Sequence, residues 1–350
     1  MVLLVPSTHW QNKNSSFEMR RHIIALSLVS AAWCLATVLQ AAPKPKKQLY
    51  IPMDYSTCGY HASEQAIPDV KATVMVGWQA GDCSQLIQQA IDHVATLKPD
   101  SNGHRGAVLL GEGIYTISEP LRITASGIVV RGMGRSKTTL VKQGVDRGAM
   151  IYVEGEKETR RLGDKETILK LESDKYPAGS CRLNVKGSTL KSGERILIVR
   201  PCTEEWIQHL KMDDFGGGLD YTGWKPTDID ITWDRTIKAV DGDTIILDAP
   251  ITTTISQDFG GAYIVRNPHV SEITECGIEN LTLESEVNLW NPKDEDHCWD
   301  GIFFDNARDC WVRMVNFRHL AGSAVNLQKQ TSRFTVEDCI AQEPVSEIGG

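Results

Sequence analysis

The chain has 350 residues and a formal net charge of −8, which leaves room for one long repeat fold or for two domains. An acidic balance excludes a nucleic-acid partner held through a basic face. Charged residues and glycines are spread evenly, so the composition does not indicate wholesale disorder.

The first 42 residues read as a targeting segment and not as part of a fold. Met19-Arg20-Arg21-His22 is a basic start, residues 23–39 are an apolar run, and Gln40-Ala41-Ala42 leads into Pro43-Lys44-Pro45-Lys46-Lys47. This order predicts a secretory signal starting at Met19, with 1–18 as an upstream extension and cleavage near Ala41 or Ala42. The mature protein is then secreted or periplasmic. The apolar run also reaches the lower limit for crossing a bilayer, so an uncleaved anchor stays open. Trp33 before Cys34 is too bulky for a lipoprotein signal. Export permits disulfides, and Cys58 with Cys83 or Cys181 with Cys202 are pairings that spacing alone does not settle. No CxxC or His–Cys cluster suggests a structural metal.

From residue 43 the elements follow in order. Residues 72–77 predict a strand. Residues 82–94 predict a helix capped by Asp82 or Ser84, with Leu86, Ala90, Ile91 and Val94 on one apolar stripe. Residues 106–110, 113–117, 121–123 and 127–132 predict short strands between glycine or proline turns. Gly132-Met133-Gly134 is expected to be a tight turn and not a nucleotide loop, because no βαβ context surrounds it. The charged tract 156–165 predicts a solvated hairpin tip.

Between 168 and 266 the short strand spacing is lost. Strands are expected at 183–185, 195–199, 235–240 and 244–247, the last two joined by the turn Asp241-Gly242-Asp243. This predicts an inserted antiparallel β subdomain, interrupted by a loop over 213–230 that holds Gly216-Gly217-Gly218 and Trp224. Trp206 and Trp233 flank that loop. Indole faces pack well on sugar CH groups, so Trp206, Trp224 and Trp233 are candidate substrate-binding residues. They serve equally well as anchors for the insert.

The stretch from Cys276 to Pro344 then repeats. Ile278-Glu279-Asn280-Leu281-Thr282-Leu283 recurs 34 residues later as Val312-Arg313-Met314-Val315-Asn316-Phe317, and 24 residues after that as Val336-Glu337-Asp338-Cys339-Ile340-Ala341. Gly301-Ile302-Phe303-Phe304 recurs 22 residues later as Ser323-Ala324-Val325-Asn326. Short apolar runs at this period predict a solenoid of stacked coils, here an all-β parallel β-helix. On this alignment Cys276, Cys310 and Cys339 are inward-facing ladder positions, where a thiol packs as a small apolar group. The chain stops at Ile348-Gly349-Gly350 with no covering element after Pro344. A further C-terminal part, with room for catalytic residues, is therefore expected. The expected organisation is 43–167 for the N-terminal cap and first coils, 168–266 for the inserted subdomain and 267–350 for an incomplete set of later coils.

A capped helix in the form D-x-S-x-x-IQxAID, followed by G-x-V-x-L-x-x-G-x-Y-x-I, PLxI and GIVVRGMGRSKTTL, resembles the N-terminus of the pectate-lyase-like superfamily. The likeness covers 82–140 and resumes at 276–344. It implies a single-stranded right-handed parallel β-helix whose N-terminal helix caps the open end. It also implies action on polysaccharides, a class that includes lyases, hydrolases, epimerases and phage tailspikes.

The aligned coils also propose a site. His297 precedes Ile302 by five residues and His319 precedes Ala324 by five, while Glu343 lies one 24-residue step beyond His319. His297, His319 and Glu343 are thus expected as a row spaced about 4.8 Å per coil, with Asp300 beside His297 and Arg318 beside His319. A lyase acting on a uronic-acid polysaccharide needs a cation for the substrate carboxylate and a base for the proton next to it. Arg318 or a bound Ca²⁺ suits the first role, and His297 or His319 the second. A glycoside hydrolase would instead use Asp300 and Glu343. A non-catalytic glycan-binding or adhesion protein is the alternative outside enzymes. Asp294-Glu295-Asp296 offers oxygen ligands for Ca²⁺, or is simply a solvated acidic loop. A monomer with a polysaccharide partner is expected.

Overall fold

A computed structural model describes residues 51–156, 168–216, 223–226, 230–266, 271–328 and 330–347. The expected signal segment and most of the charged tract lie outside them. No helix among the described residues is long and apolar enough to cross a membrane.

The first part of the chain forms β1 (Ala72–Val76), helix α1 (Ser84–Thr96), β2 (Gly106–Leu110), β3 (Gly113–Ile117), β4 (Leu121–Ile123), β5 (Ile128–Arg131), β6 (Thr138–Lys142) and β7 (Ala149–Glu154). Helix α1 buries Ala90, Ile91 and Val94 of the stripe read from the sequence in the same cluster as Val108, Leu110 and Ile128, with Ile87 in the fully buried place and the expected Leu86 only partly buried. Asp82 fixes its start by accepting from the Ser84 backbone N–H at 2.9 Å and from the Ser118 hydroxyl at 2.5 Å. Gly132 is a turn position for a steric reason. A side chain there would meet the carbonyl oxygen of Asn280 at 2.4 Å.

The middle part is β8 (Leu169–Lys170), β9 (Lys175–Tyr176), β10 (Arg182–Asn184), β11 (Arg195–Arg200), helix α2 (Glu204–Leu210), β12 (Ile231–Asp241), β13 (Thr244–Leu247), β14 (Ile255–Ser256) and β15 (Tyr263–Arg266). Here the pairing turns antiparallel, in the order β10-β13-β12-β11-β15-β8, around a core of its own that includes Leu183, Ile196, Ile198, Ile245 and Ile264. The Asp-Gly turn holds as expected. Asp241 pairs with Thr244, and Gly242 takes φ +59, which glycine adopts without steric cost. Helix α2, ahead of the expected loop, was not foreseen. Thr203 caps it by accepting from the Trp206 N–H, and Lys211 closes it in the left-handed region.

Parallel pairing then resumes with β16 (Ile273–Thr274), β17 (Gly277–Ser285), β18 (Asp300–Asp305), β19 (Ala307–Arg318), β20 (Val325–Leu327), β21 (Ser332–Glu337) and β22 (Ile340–Gln342). β17 and β19 lie in register as the repeat predicts, with Ile278 opposite Val312 and Leu281 opposite Val315, and Val312 in turn faces Val336. Their first halves continue the ladder of β1, β2 and β5, and their second halves run beside β6, β3 and β22. β4, β7, β18 and β20 make a separate parallel sheet. The chain is therefore mostly β with parallel sheets, the arrangement of a β-helix.

Left-handed backbone marks the corners. Asn280, Met314 and Asp338 occupy the same corner in successive coils with φ of 58, 53 and 51°, and Glu275, Asp309 and Arg333 occupy another with 58, 51 and 51°. A parallel coil turns sharply there without a long loop, and non-glycine residues bear the strain.

One expectation needs correction, and the open disulfide pairings are answered. The 22-residue step is 23 in the structure, since Ile302 faces Val325 and not Ala324. A one-residue slip sends every side chain to the opposite face, so the position assigned to His297 fails with it. Neither conceivable disulfide forms. Cys58, Cys83, Cys181 and Cys202 are free thiols, and Cys276 and Cys310 are fully buried ladder residues.

Candidate functional site

The row expected on one face divides. Arg318, His319 and Glu343 come together at the corner beyond β19 and β22, joined by Glu284 of β17, which the sequence reading had passed over. Arg318 lies opposite both Glu284 and Gln342 in the ladder. Its guanidinium donates to Glu284 Oε2 at 3.2 Å and to Glu343 Oε2 at 2.8 Å. His319 sits between the same carboxylates, with Nδ1 3.8 Å from Glu284 Oε1 and Nε2 3.4 Å from Glu343 Oε2. His319 and Glu343 both have left-handed φ, 60 and 52°. The Glu343 hydrogen bond, together with the charge of Glu284, raises the Arg318 pKa, and Arg318 in return holds the Glu343 carboxyl below its ordinary range. Glu343 is 59% exposed and His319 21%, so the cluster opens to solvent on the Glu343 side.

His297 is not part of it. It is 1% exposed, with Nδ1 3.0 Å from the Ser285 hydroxyl and Nε2 facing the carbonyl oxygens of Asp294 at 3.1 Å and Val345 at 2.9 Å. A ring nitrogen that faces two carbonyls must carry a proton and donate it. His297 is therefore a bracket for the loop before β18, apart from the corner cluster. Asp300 is likewise engaged elsewhere. It accepts from the Ser323 N–H at 3.0 Å and the Asn326 amide at 2.9 Å, so it does not pair with Glu343. The acidic loop does not converge on a cation position. Asp294 accepts from the Asn288 and Asp296 backbones, Glu295 from Ser346, and Asp296 pairs with Arg147.

The tryptophans divide as well. Trp233 is 4% exposed in the antiparallel core, and its ring N–H donates to Thr252 at 2.9 Å. It is an anchor. Trp206 and Trp224 are half buried with ring centroids 5.8 Å apart and a tilt of 37°.

A second cluster was missed altogether. The turn Tyr60–Ser63, with His61, Ala62 and Ser63 all at positive φ, lies over the corner of Glu275, Asp309 and Arg333. Glu275 accepts from the Tyr60 hydroxyl at 2.5 Å and lies 2.7 Å from His61 Nε2 and 3.3 Å from His104 Nε2. Burial opposes the charge on Glu275, but the hydrogen bonds from His104, Tyr60 and His61 outweigh it and hold the carboxyl below its ordinary range. Burial and the same carboxylate push the Tyr60 hydroxyl far up. His61, Glu275 and Asp309 offer ligand atoms within 4.8 Å of one another. However, Arg333 binds both Asp309 oxygens, so a cation would have to displace a guanidinium. The cluster fastens the N-terminal segment to the sheet and fits a metal poorly. Part of it was open to the repeat alignment, because Glu275, Asp309 and Arg333 follow the same 34- and 24-residue steps as the strands. Tyr60, His61 and His104 carry no such signal.

No family model and no curated protein matches the chain. Solved structures do. The A-module of a mannuronan C-5 epimerase from Azotobacter vinelandii is 14% identical over 77% of this chain and 43% of its own, with a TM-score of 0.35. The gp61 tailspike of Pseudomonas phage phi297 is 12% identical over 75% and 42%, also with a TM-score of 0.35. A putative glycosyl hydrolase from Parabacteroides merdae is 11% identical over 78% and 94%, with a TM-score of 0.20. The chain spans less than half the length of the first two. At such identities and scores the matches assign neither substrate nor residues, and the β-helix arrangement stands on this chain's own strand register.

Proposed function

We propose that this is an exported glycan-processing protein of the pectate-lyase-like type that cleaves a uronic-acid-containing polysaccharide by β-elimination. Residues 19–42 act as its signal and 168–266 as an inserted subdomain. The observation that carries the reading is His319 held between Glu284 and Glu343 beside Arg318 on a solvent-facing corner. An elimination next to a carboxylate needs a base for the α-proton and a cation for the carboxylate. An imidazole and a guanidinium on adjacent residues supply both. Arg318 would exchange its contact with Glu343, the more exposed of its partners, for the substrate carboxylate, while His319 takes the α-proton, the C–H electron pair forms the new C=C bond as the glycosidic C–O bond breaks, and the departing oxygen takes a proton from solvent.

One observation favours a second reading. Glu284 and Glu343 flank the same guanidinium, and two carboxylates facing one position are what glycoside hydrolysis requires. Incubation with a panel of acidic polysaccharides separates the two. The lyase reading expects ultraviolet absorbance from new unsaturated uronates, and new reducing ends without that absorbance would replace it with the hydrolase. Binding without either product would leave a glycan-binding protein. N-terminal sequencing of exported material is expected to begin near Pro43, and a protein that retains Met19 would refute the cleaved signal.

A further inference from the structure

Most buried arginines of this protein have acceptors. Arg195 is held by Asp234 and Glu272, Arg131 and Arg313 by Glu279, Arg333 by Asp309, and Arg235 by the carbonyl oxygens of Ala249 and Pro250. Arg200, the last residue of β11, differs from all of these. Its side chain is 3% exposed, and its Nε and Nη1 are shielded from solvent without a hydrogen-bond partner. Among the described residues no carboxylate contributes to its electrostatics, and burial lowers its pKa. What it has is an indole. Its guanidinium carbon lies 4.1 Å from the centroid of Trp206, and Trp224 stands beside that ring.

A buried guanidinium is costly without an anion, and a cation–π contact offsets only part of that cost. Its planar fork matches a planar carboxylate through two parallel hydrogen bonds. The adjoining indoles provide apolar faces for ring CH groups, which an inorganic anion would leave unused. We propose that Arg200, Trp206 and Trp224 form a subsite for an acidic sugar, with Arg200 binding its carboxylate and the tryptophans stacking on its ring. The sugar enters as Trp206, carried on the short helix α2, rotates off the guanidinium. This subsite rests on the glycan reading above but not on chemistry at His319.

The test uses the full chain carrying His319→Ala, so that binding is read without turnover. Tetragalacturonate and its fully methyl-esterified counterpart are titrated by tryptophan fluorescence and calorimetry. The acid is expected to bind at least about tenfold more tightly than the ester, a step one charge-assisted hydrogen bond can supply. Arg200→Gln should reduce that preference to what Arg318 alone supplies at the corner, and Trp206→Ala should weaken both ligands. Arg200→Lys, which keeps the charge and loses the fork, should fall between wild type and Arg200→Gln and keeps the test valid if Arg200→Gln does not fold. Equal binding of acid and ester would overturn the subsite, as would a preference that Arg200→Gln leaves undiminished. A preference lost on Arg318→Ala but kept in Arg200→Gln would place carboxylate recognition at the corner instead. If no uronate oligomer binds but the polysaccharide is still turned over by the wild type, the subsite fails and the function stands.

Discussion

At the scale of residues, two carboxylates do different work because of what surrounds them. Glu343 is exposed and shares Arg318 with Glu284, while His319 beside it is free to meet substrate. Since His319 has φ +60, asparagine, which tolerates the left-handed region, is the cleaner replacement. His319→Asn is expected to lower turnover on the order of a hundredfold or more with an unchanged melting curve. An active variant, or one that melts early, would remove His319 from the site. Glu275 is buried and bonded to Tyr60, His61 and His104, and Glu275→Gln is expected to cost about 1–3 kcal/mol at neutral pH. Its folded carboxyl releases its proton more readily than the ordinary value of 4.5, so the stabilisation is present above that value. It is lost as pH falls through the folded pKa. Urea titrations should therefore show the gap between variant and wild type constant above the ordinary value of 4.5 and shrinking as pH falls below it, and a gap that does not shrink in acid would contradict the assignment. His319 and Glu343 were legible in the sequence because both follow the coil step. His297 was misplaced because the second register is 23 and not 22 residues, a difference of one that apolar pattern alone does not fix.

At the scale of elements, the corners limit the fold. Asn280 and Asp338 suit the left-handed backbone of their corner, whereas Met314 between them does not. Met314→Asn is expected to raise stability by up to about 1 kcal/mol, read as a higher urea midpoint with an unchanged slope. A lower midpoint would mean that the half-buried Met314 contributes more by packing than it costs in strain. A charge ladder crosses the same strands. Arg131, Glu279, Arg313 and Glu337 are direct neighbours in register, and Glu279 is fully buried between two arginines and the Trp311 N–H. The alternation is visible in the aligned repeats. Its burial is not, because the cover comes from Pro68 and Asp69, more than a hundred residues earlier in the chain than Glu279.

At the scale of the whole molecule, two cores serve one chain. Parallel coils gather Ile278, Val312, Ile302 and Phe304 in one cluster, and the antiparallel sheet gathers Ile196, Ile198, Ile245 and Trp233 in another. Ile198→Ala, at a fully buried position, is expected to cost about 2–5 kcal/mol. Amide exchange should then rise at Leu183, Ile245 and Ile264 before it rises at Ile278 and Val312, and a uniform rise would mean the two cores unfold as one unit. By itself the sequence determined the strands of the coils, the stripe of α1, the Asp-Gly hairpin and the inward place of Cys276 and Cys310. Each of these depends on local periodicity or turn chemistry, which neighbouring residues carry. Only the tertiary structure decided that His297 is a buried bracket, that Trp233 is core, that Tyr60 and His61 fasten onto Glu275, and that Arg200 lies uncompensated under Trp206. Those outcomes depend on which distant segments meet, and the pairing of side chains across coils and sheets leaves no period in the chain to read.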